Sequence, residues 1–342
     1  MKNLRYLIYP FIIVLLISCA TGCGNRRFKE SKFLMGTIVE ITAVGDESDC
    51  QQAIKLAFDE IKRIDDLMDV HEEDSEISRI NQAAGKSAVQ VGTDTFEVIE
   101  RAIEYADRTD GALDISVSPL MELWGFGGDS NQIPADDELK KKLSLVDYRK
   151  ITIDKSRSTV KLESSGMKID VGGIAKGYAV DRAAQVLRDA GIQSALVNAG
   201  GDIYATSSPP GKDSWRIGIR HPRNNADLLG VVDLKDKAVA TSGDYENFFQ
   251  VDGERYCHIM NPKTGRPVAG IMSVTIVAND TAAADALATA VFPLGAEGGM
   301  KLIEELEGVD GVIVTGKEED DMEVLISSGM EDRIQLRGDK DG

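Results

Sequence analysis

Seven short strand-like runs crowd the second half of this chain, at residues 195–198, 216–219, 231–234, 239–242, 272–278, 311–314 and 322–326. Only two helical stretches, around 282–290 and 297–306, interrupt them. A doubly wound parallel sheet needs strand and helix to alternate regularly, and this order does not. It predicts an α+β fold, with mixed or antiparallel sheets and packed helices. The first half is richer in helix. Ile54, Ala57, Phe58, Ile61, Ile64 and Met68 recur at helical spacing. Asp94, with Glu97 three residues on, predicts a capped helix start ahead of Phe96, Ile99, Ile103 and Ala106, ending at Asp110-Gly111. Met35-Gly36-Thr37 opens a strand through Ile41 and Val44, and 151–153 with 159–162 reads as a hairpin. A helix over 174–190 is stopped by Gly191.

The N-terminus stands apart. Lys2 and Arg5 precede an apolar run from Tyr6 to Ile17. A bilayer span needs about 20 apolar residues, so the run fits the core of a secretory signal instead. Two cysteines follow at once, in Leu16-Ile17-Ser18-Cys19 and Ala20-Thr21-Gly22-Cys23. Both read as boxes in which the cysteine becomes a lipidated first residue; Leu16 favours Cys19, and Gly22 keeps Cys23 open. The expected layout is a signal peptide over 1–18, a tether over 19–32, one globular domain over 33–335 and a polar tail over 336–342. Such a chain is extracytoplasmic and held to the membrane by lipid. Of the remaining cysteines, Cys50 and Cys257 read either as a disulfide or as two separate buried thiols.

The formal net charge is −18, from 57 acidic and 39 basic residues. That field argues against nucleic acid as a partner. An anionic ligand therefore needs a local correction from a cation, a helix N-terminus or a lysine.

Three constellations could supply it. Asp170-Val171-Gly172-Gly173-Ile174-Ala175-Lys176-Gly177 lies between a strand and a helix, where glycines admit a ligand and free N–H groups meet an anion. Alone, such a turn is ordinary strand-to-helix geometry; the flanking Asp170 and Lys176 add a functional reading. In Thr281-Ala282-Ala283-Ala284-Asp285-Ala286-Leu287-Ala288-Thr289, the carboxylate and last hydroxyl share one helix face, and both are hard oxygens suited to Mg²⁺. The plainer alternative has Thr289 bonded to its own helix and Asp285 to an arginine. Third, a strand delivers His258 to a turn that runs on through Asn261-Pro262-Lys263-Thr264-Gly265.

From Met35 to about Thr315 the chain resembles the FAD:protein FMN transferases, the ApbE-like family. Further matching segments are Ser75-Glu76-Ile77-Ser78-Arg79-Ile80-Asn81, Leu113-Asp114-Ile115-Ser116-Val117-Ser118-Pro119-Leu120 and Trp124-Gly125-Phe126-Gly127. Asn198-Ala199-Gly200-Gly201-Asp202 and Thr241-Ser242-Gly243-Asp244-Tyr245 continue the series, with the three constellations in order between and after them. The resemblance implies one catalytic unit of two packed halves. It implies Mg²⁺ on the side chains of Asp285 and Thr289 and on the carbonyl of Gly173. It places Met35, Ala112, Leu113, Asp114, Asp170, Lys176 and Ile259 at FAD contacts. His71 stands where many relatives carry a tyrosine against the flavin. The implied reaction moves FMN from FAD to a Ser or Thr hydroxyl of an acceptor flavoprotein, a membrane redox subunit or a secreted electron carrier, releasing AMP. Asp285 and His258 are both candidates for the base. Two alternatives stand beside it: an Mg²⁺-dependent FAD pyrophosphatase giving FMN and AMP, and a lipid-anchored FAD-binding protein without catalysis.

Overall fold

The computed structural model describes residues 26–337, apart from 127, 129 and 130. Cys19, Cys23, Gly127 and the end of the expected tail lie outside the described residues. The helices are α1 (Glu47–Met68), α2 (Glu76–Gln82), α3 (Thr93–Arg108), α4 (Ser118–Trp124), α5 (Asp136–Leu143), α6 (Gly172–Asp189) and α7 (Thr281–Glu305). Of these, α1, α6 and α7 pack on an eight-stranded sheet that opens with β1 (Arg26–Leu34) and β2 (Thr37–Gly45). It continues through Ser194–Ala199, Asp202–Ala205, Lys237–Gly243, Ile271–Ala278, Asp310–Thr315 and Glu323–Ile326. Spatial order follows chain order, and each neighbouring pair is antiparallel. This is the expected α+β architecture, with long excursions between successive strands.

Both faces of the sheet are covered. Ala238, Ala240, Val274 and Ile276 join the helices in the main core, while Val239 and Val277 point into a second core. There they meet Trp215, Ile217 and Val232, from a small sheet of Trp215–Arg220, Leu228–Leu234 and Ile334–Leu336. Burial from two sides explains why Ile271–Ala278, apolar but for Ser273 and Thr275, is buried at every position.

The helix face brings α6 and α7 into close contact. A Cβ on Gly177 would sit 2.3 Å from the Thr281 carbonyl oxygen, so only glycine permits this crossing. The alanines of α7 serve the same close approach to α6 and the sheet. At the opposite edge, Leu34 pairs with Thr37, leaving Met35-Gly36 as a two-residue turn. Both turn residues have positive φ, 51° and 69°. Tight hairpins favour that pattern, but for methionine it costs roughly 1–2 kcal/mol.

Three expectations change. Residues 26–32 are not tether but most of β1, in register with β2 throughout. They read as linker because an edge strand buries little: only Phe28 and Leu34 of β1 pack on the core. Asp94 does not cap α3; Gly92 takes that position, and Asp94 instead pairs with Arg63 at 2.8 Å and accepts the Tyr178 hydroxyl at 2.8 Å. The two helices expected at 282–290 and 297–306 are both present, as the two arms of α7 that meet at a break near Pro293 and Gly295, whose φ of 73° only glycine adopts freely. Cys50 and Cys257 are both buried and both free, which removes the disulfide alternative.

Candidate active site

A cleft of about 710 Å³ opens where the Met35-Gly36 turn, the end of α1 and the start of α6 converge. Its size suits a large organic ligand. Of the residues singled out in the sequence, Met35, His71, Asp170 and Lys176 line it. Ala112, Leu113 and Asp114 are buried and do not. The Asp114 carboxylate accepts from Ser116 N at 2.8 Å, Ser116 Oγ at 2.6 Å and Tyr148 N at 3.0 Å, so it shapes its own turn. That segment reaches the cleft through Ile115, whose carbonyl accepts the Asp170 N–H at 2.8 Å. Ile259 is buried behind His258.

At the start of α6, Asp170 Oδ1 accepts the Gly172 N–H at 2.8 Å. Burial raises the Asp170 pKa against that hydrogen bond. One turn later, Lys176 Nζ lies 2.6 Å from Asp202 Oδ2 and 3.7 Å from Asp285 Oδ1. Burial opposes the charge on Lys176, but Asp202 and Asp285 more than offset it and its pKa is raised. For Asp285 the direction is also upward, from burial and then from the nearby Asp202, with Lys176 pulling the other way.

Among the described residues, Asp285 meets no arginine. Its Oδ2 accepts the Gly177 N–H at 3.0 Å, a group that a regular helix directs at the Gly173 carbonyl. Thr289 Oγ1 is 3.4 Å from Ser242 Oγ, and a Cβ on Gly173 would lie 3.3 Å from that same Thr289 oxygen. Gly173, Asp285 and Thr289 therefore stand together where α6 faces α7. Among the described residues no three His, Cys, Asp or Glu side chains gather as a metal cage. A metal here has one carboxylate and neutral oxygens, which suits Mg²⁺ completed by water and ligand phosphates. The donor set fits.

His258 follows the strand Glu254–Cys257 rather than lying within it. Its backbone N–H and its ring Nδ1 both meet the carbonyl of Asn247, at 2.9 and 3.2 Å, and Asn247 lines the cleft. With Nδ1–H donating there, Nε2 keeps its lone pair. Desolvation pushes the His258 pKa down to about 4, against the Asn247 bond, and Lys176 adds to the fall. The ring is therefore neutral near pH 7, with the Nε2 lone pair free.

Several site residues carry no individual sequence signal. Asp202 is the partner of Lys176 but sits in a plain Gly-Gly-Asp turn. Glu246 is pushed up to about 7, first by desolvation, and feels both Lys176 and Asp202. Asp65 lines the cleft from an acidic helix end. Asn247 acts through a backbone carbonyl, which no residue pattern marks.

The ApbE family model matches residues 35–313. An FAD:protein FMN transferase of Treponema pallidum is 32% identical over 346 residues, covering 95% of this chain and 94% of that protein. The crystal structure of the ApbE protein of Thermotoga maritima superposes with a TM-score of 0.83 at 35% identity, covering 90% of this chain and 98% of that one. The flavin transferase ApbE of Vibrio cholerae gives 0.81 at 31%, covering 90% and 99%.

Proposed function

This chain belongs to the ApbE family, and from that premise we propose that it is a lipid-anchored, Mg²⁺-dependent enzyme in which His258 deprotonates the acceptor hydroxyl. Its activity is that of an FAD:protein FMN transferase: it moves FMN from FAD to a target protein. The observation that carries the finer reading is the meeting of Gly173, Asp285 and Thr289 beside Lys176, which itself lines a cleft large enough for FAD.

FAD lies in the cleft, with its pyrophosphate toward the start of α6. Lys176 and the positive end of that helix's dipole offset its charge, which the acidic surface otherwise repels. Asp285, Thr289 and the Gly173 carbonyl would hold Mg²⁺, which would there supply neutralisation of the pyrophosphate and polarisation of the phosphorus under attack. The Ser or Thr oxygen of the acceptor forms a bond to the FMN phosphorus while the bond to the AMP oxygen breaks. The hydroxyl proton goes to His258 Nε2, whose orientation and tautomer the Asn247 carbonyl sets. The products are the flavinylated acceptor and AMP, with the proton then passed to water. The acceptor is a membrane-associated or secreted redox protein. Anchoring through Cys19, or Cys23, keeps the enzyme on the outer side of the membrane where such acceptors lie.

The test is incubation with FAD, Mg²⁺ and Ser- or Thr-bearing acceptor peptides, read by mass. A peptide gain equal to FMN less water, with AMP released in equal amount, supports the reading. FMN and AMP released free, with the peptide unchanged, make the enzyme a pyrophosphatase instead. Binding of FAD without either product makes it a carrier.

A further inference from the structure

The Met35-Gly36 turn is held from outside its own hairpin. Met35 occupies the left-handed region at φ 51°, where asparagine or glycine is the usual choice. Its N–H donates to Asp65 Oδ2 at 2.9 Å, across thirty residues of sequence, and both side chains line the FAD cleft. A backbone outlier beside a ligand cleft is a reason to ask what function retains it.

Asp65 is itself poorly placed for stability. It lies in the last turn of α1, which holds no basic residue, and Asp66 and Asp69 stand beside it. A carboxylate there opposes the helix dipole. Burial raises its pKa, the Met35 N–H lowers it, and Asp69 and Asp66 raise it again. The Met35 N–H is thus the main contact that favours the charge, with a smaller contribution from Lys62. A methionine strained at the turn and an aspartate disfavoured at the helix end make sense as a pair, because together they fix one apolar side chain at the lip of the cleft.

We propose that Asp65 is a positioning residue for FAD, acting through Met35: its carboxylate locks the turn so that the Met35 side chain faces the ligand. The inference rests on FAD being the ligand of this cleft. In the full-length protein, FAD affinity is measured by fluorescence for Asp65→Ala, Asp65→Asn, Met35→Ala and the Asp65→Ala/Met35→Ala double variant. Losing a hydrogen bond to a charged acceptor predicts an affinity about tenfold weaker for Asp65→Ala. Asp65→Asn, whose amide oxygen still accepts the N–H, recovers most of it. The double variant binds no more weakly than the weaker single one, since both changes remove the same contact. Wild-type affinity in Asp65→Ala overturns the inference, and so do losses that multiply in the double variant, because Asp65 then acts on FAD independently. If Asp65→Ala does not fold, the comparison is repeated on Met35→Gly, which adopts positive φ unaided. There Asp65→Ala should change nothing further, and any added loss overturns the inference. Failure of the unmodified protein to bind FAD defeats the parent reading instead.

Discussion

Asp181 of α6 caps the first turn of α7: its Oδ1 accepts the Thr281 N–H at 2.7 Å, and its Oδ2 the Ala282 N–H at 2.9 Å. The helix that carries Asp285 and Thr289 therefore starts from a carboxylate on the helix that carries Gly173 and Lys176. Removing that cap should loosen the two against each other. Asp181→Ala leaves two N–H groups without their acceptor and should cost about 1–3 kcal/mol. Asp181→Asn keeps one acceptor and should cost less. Burial pushes the Asp181 pKa up to about 6, against both hydrogen bonds. A raised carboxylate pKa means that the folded state binds the proton more tightly than the unfolded state. This group's contribution is then full below about pH 3.8 and falls as pH rises through about 6. Thermal unfolding from pH 4 to 8 should show that dependence in the wild type and not in Asp181→Asn.

His258 makes a second prediction about pH. Its depressed pKa, about 4, keeps Nε2 unprotonated well below the range of an ordinary histidine. The acid limb of the transfer rate that belongs to this residue should lie near pH 4 rather than near 6.5. His258→Gln should slow transfer by about 10²–10⁴-fold while FAD still binds. A rate-against-pH profile on both proteins checks this, and an undiminished rate in His258→Gln would assign the base elsewhere.

The pairing of Asp285 with Thr289 predicts an ordered pair of losses. Asp285→Asn removes the one charged donor among the three, so transfer should fall by orders of magnitude at limiting Mg²⁺. Thr289→Ala loses a neutral donor that water can replace, and excess Mg²⁺ should partly restore it. FAD affinity, measured separately, should survive in both. Transfer by Asp285→Asn at the wild-type rate under limiting Mg²⁺ would sink the metal assignment.

Membrane attachment is tested at the cysteines. Cys19→Ser should yield a precursor that incorporates no labelled fatty acid. Labelling that persists there and disappears in Cys23→Ser moves the anchor to Cys23, and labelling unaffected by either change ends the lipoprotein reading.

Apart from β1 and Asp202–Ala205, the strands of the eight-stranded sheet and the helices α1, α6 and α7 packed on it were legible because their periodicity is local. Ile54, Ile61 and Ile64 declare a helix face, and Ile271–Ala278 declares a strand covered on both sides. Asp285 and Thr289 were equally legible, since four residues on a helix bring them to one face whatever surrounds it. The β1 strand was not. Its buried residues are too few to set a pattern, and it is a strand only because β2 is there to pair with it. The capping role given to Asp94 failed for a related reason: arginines from other helices, Arg63 and Arg182, compete for its carboxylate.

The sequence alone therefore determined the fold class, many of the elements and the shared helix face of Asp285 and Thr289, because each follows from short-range spacing and side-chain chemistry. Tertiary structure decided which of them share a site. Lys176 meets Asp202 across 26 residues, Gly177 meets Asp285 across 108, and Met35 meets Asp65 across 30. No local pattern encodes such contacts, since they arise only when separate helices and turns are packed to within a hydrogen bond of one another, and that packing is set by the whole core at once.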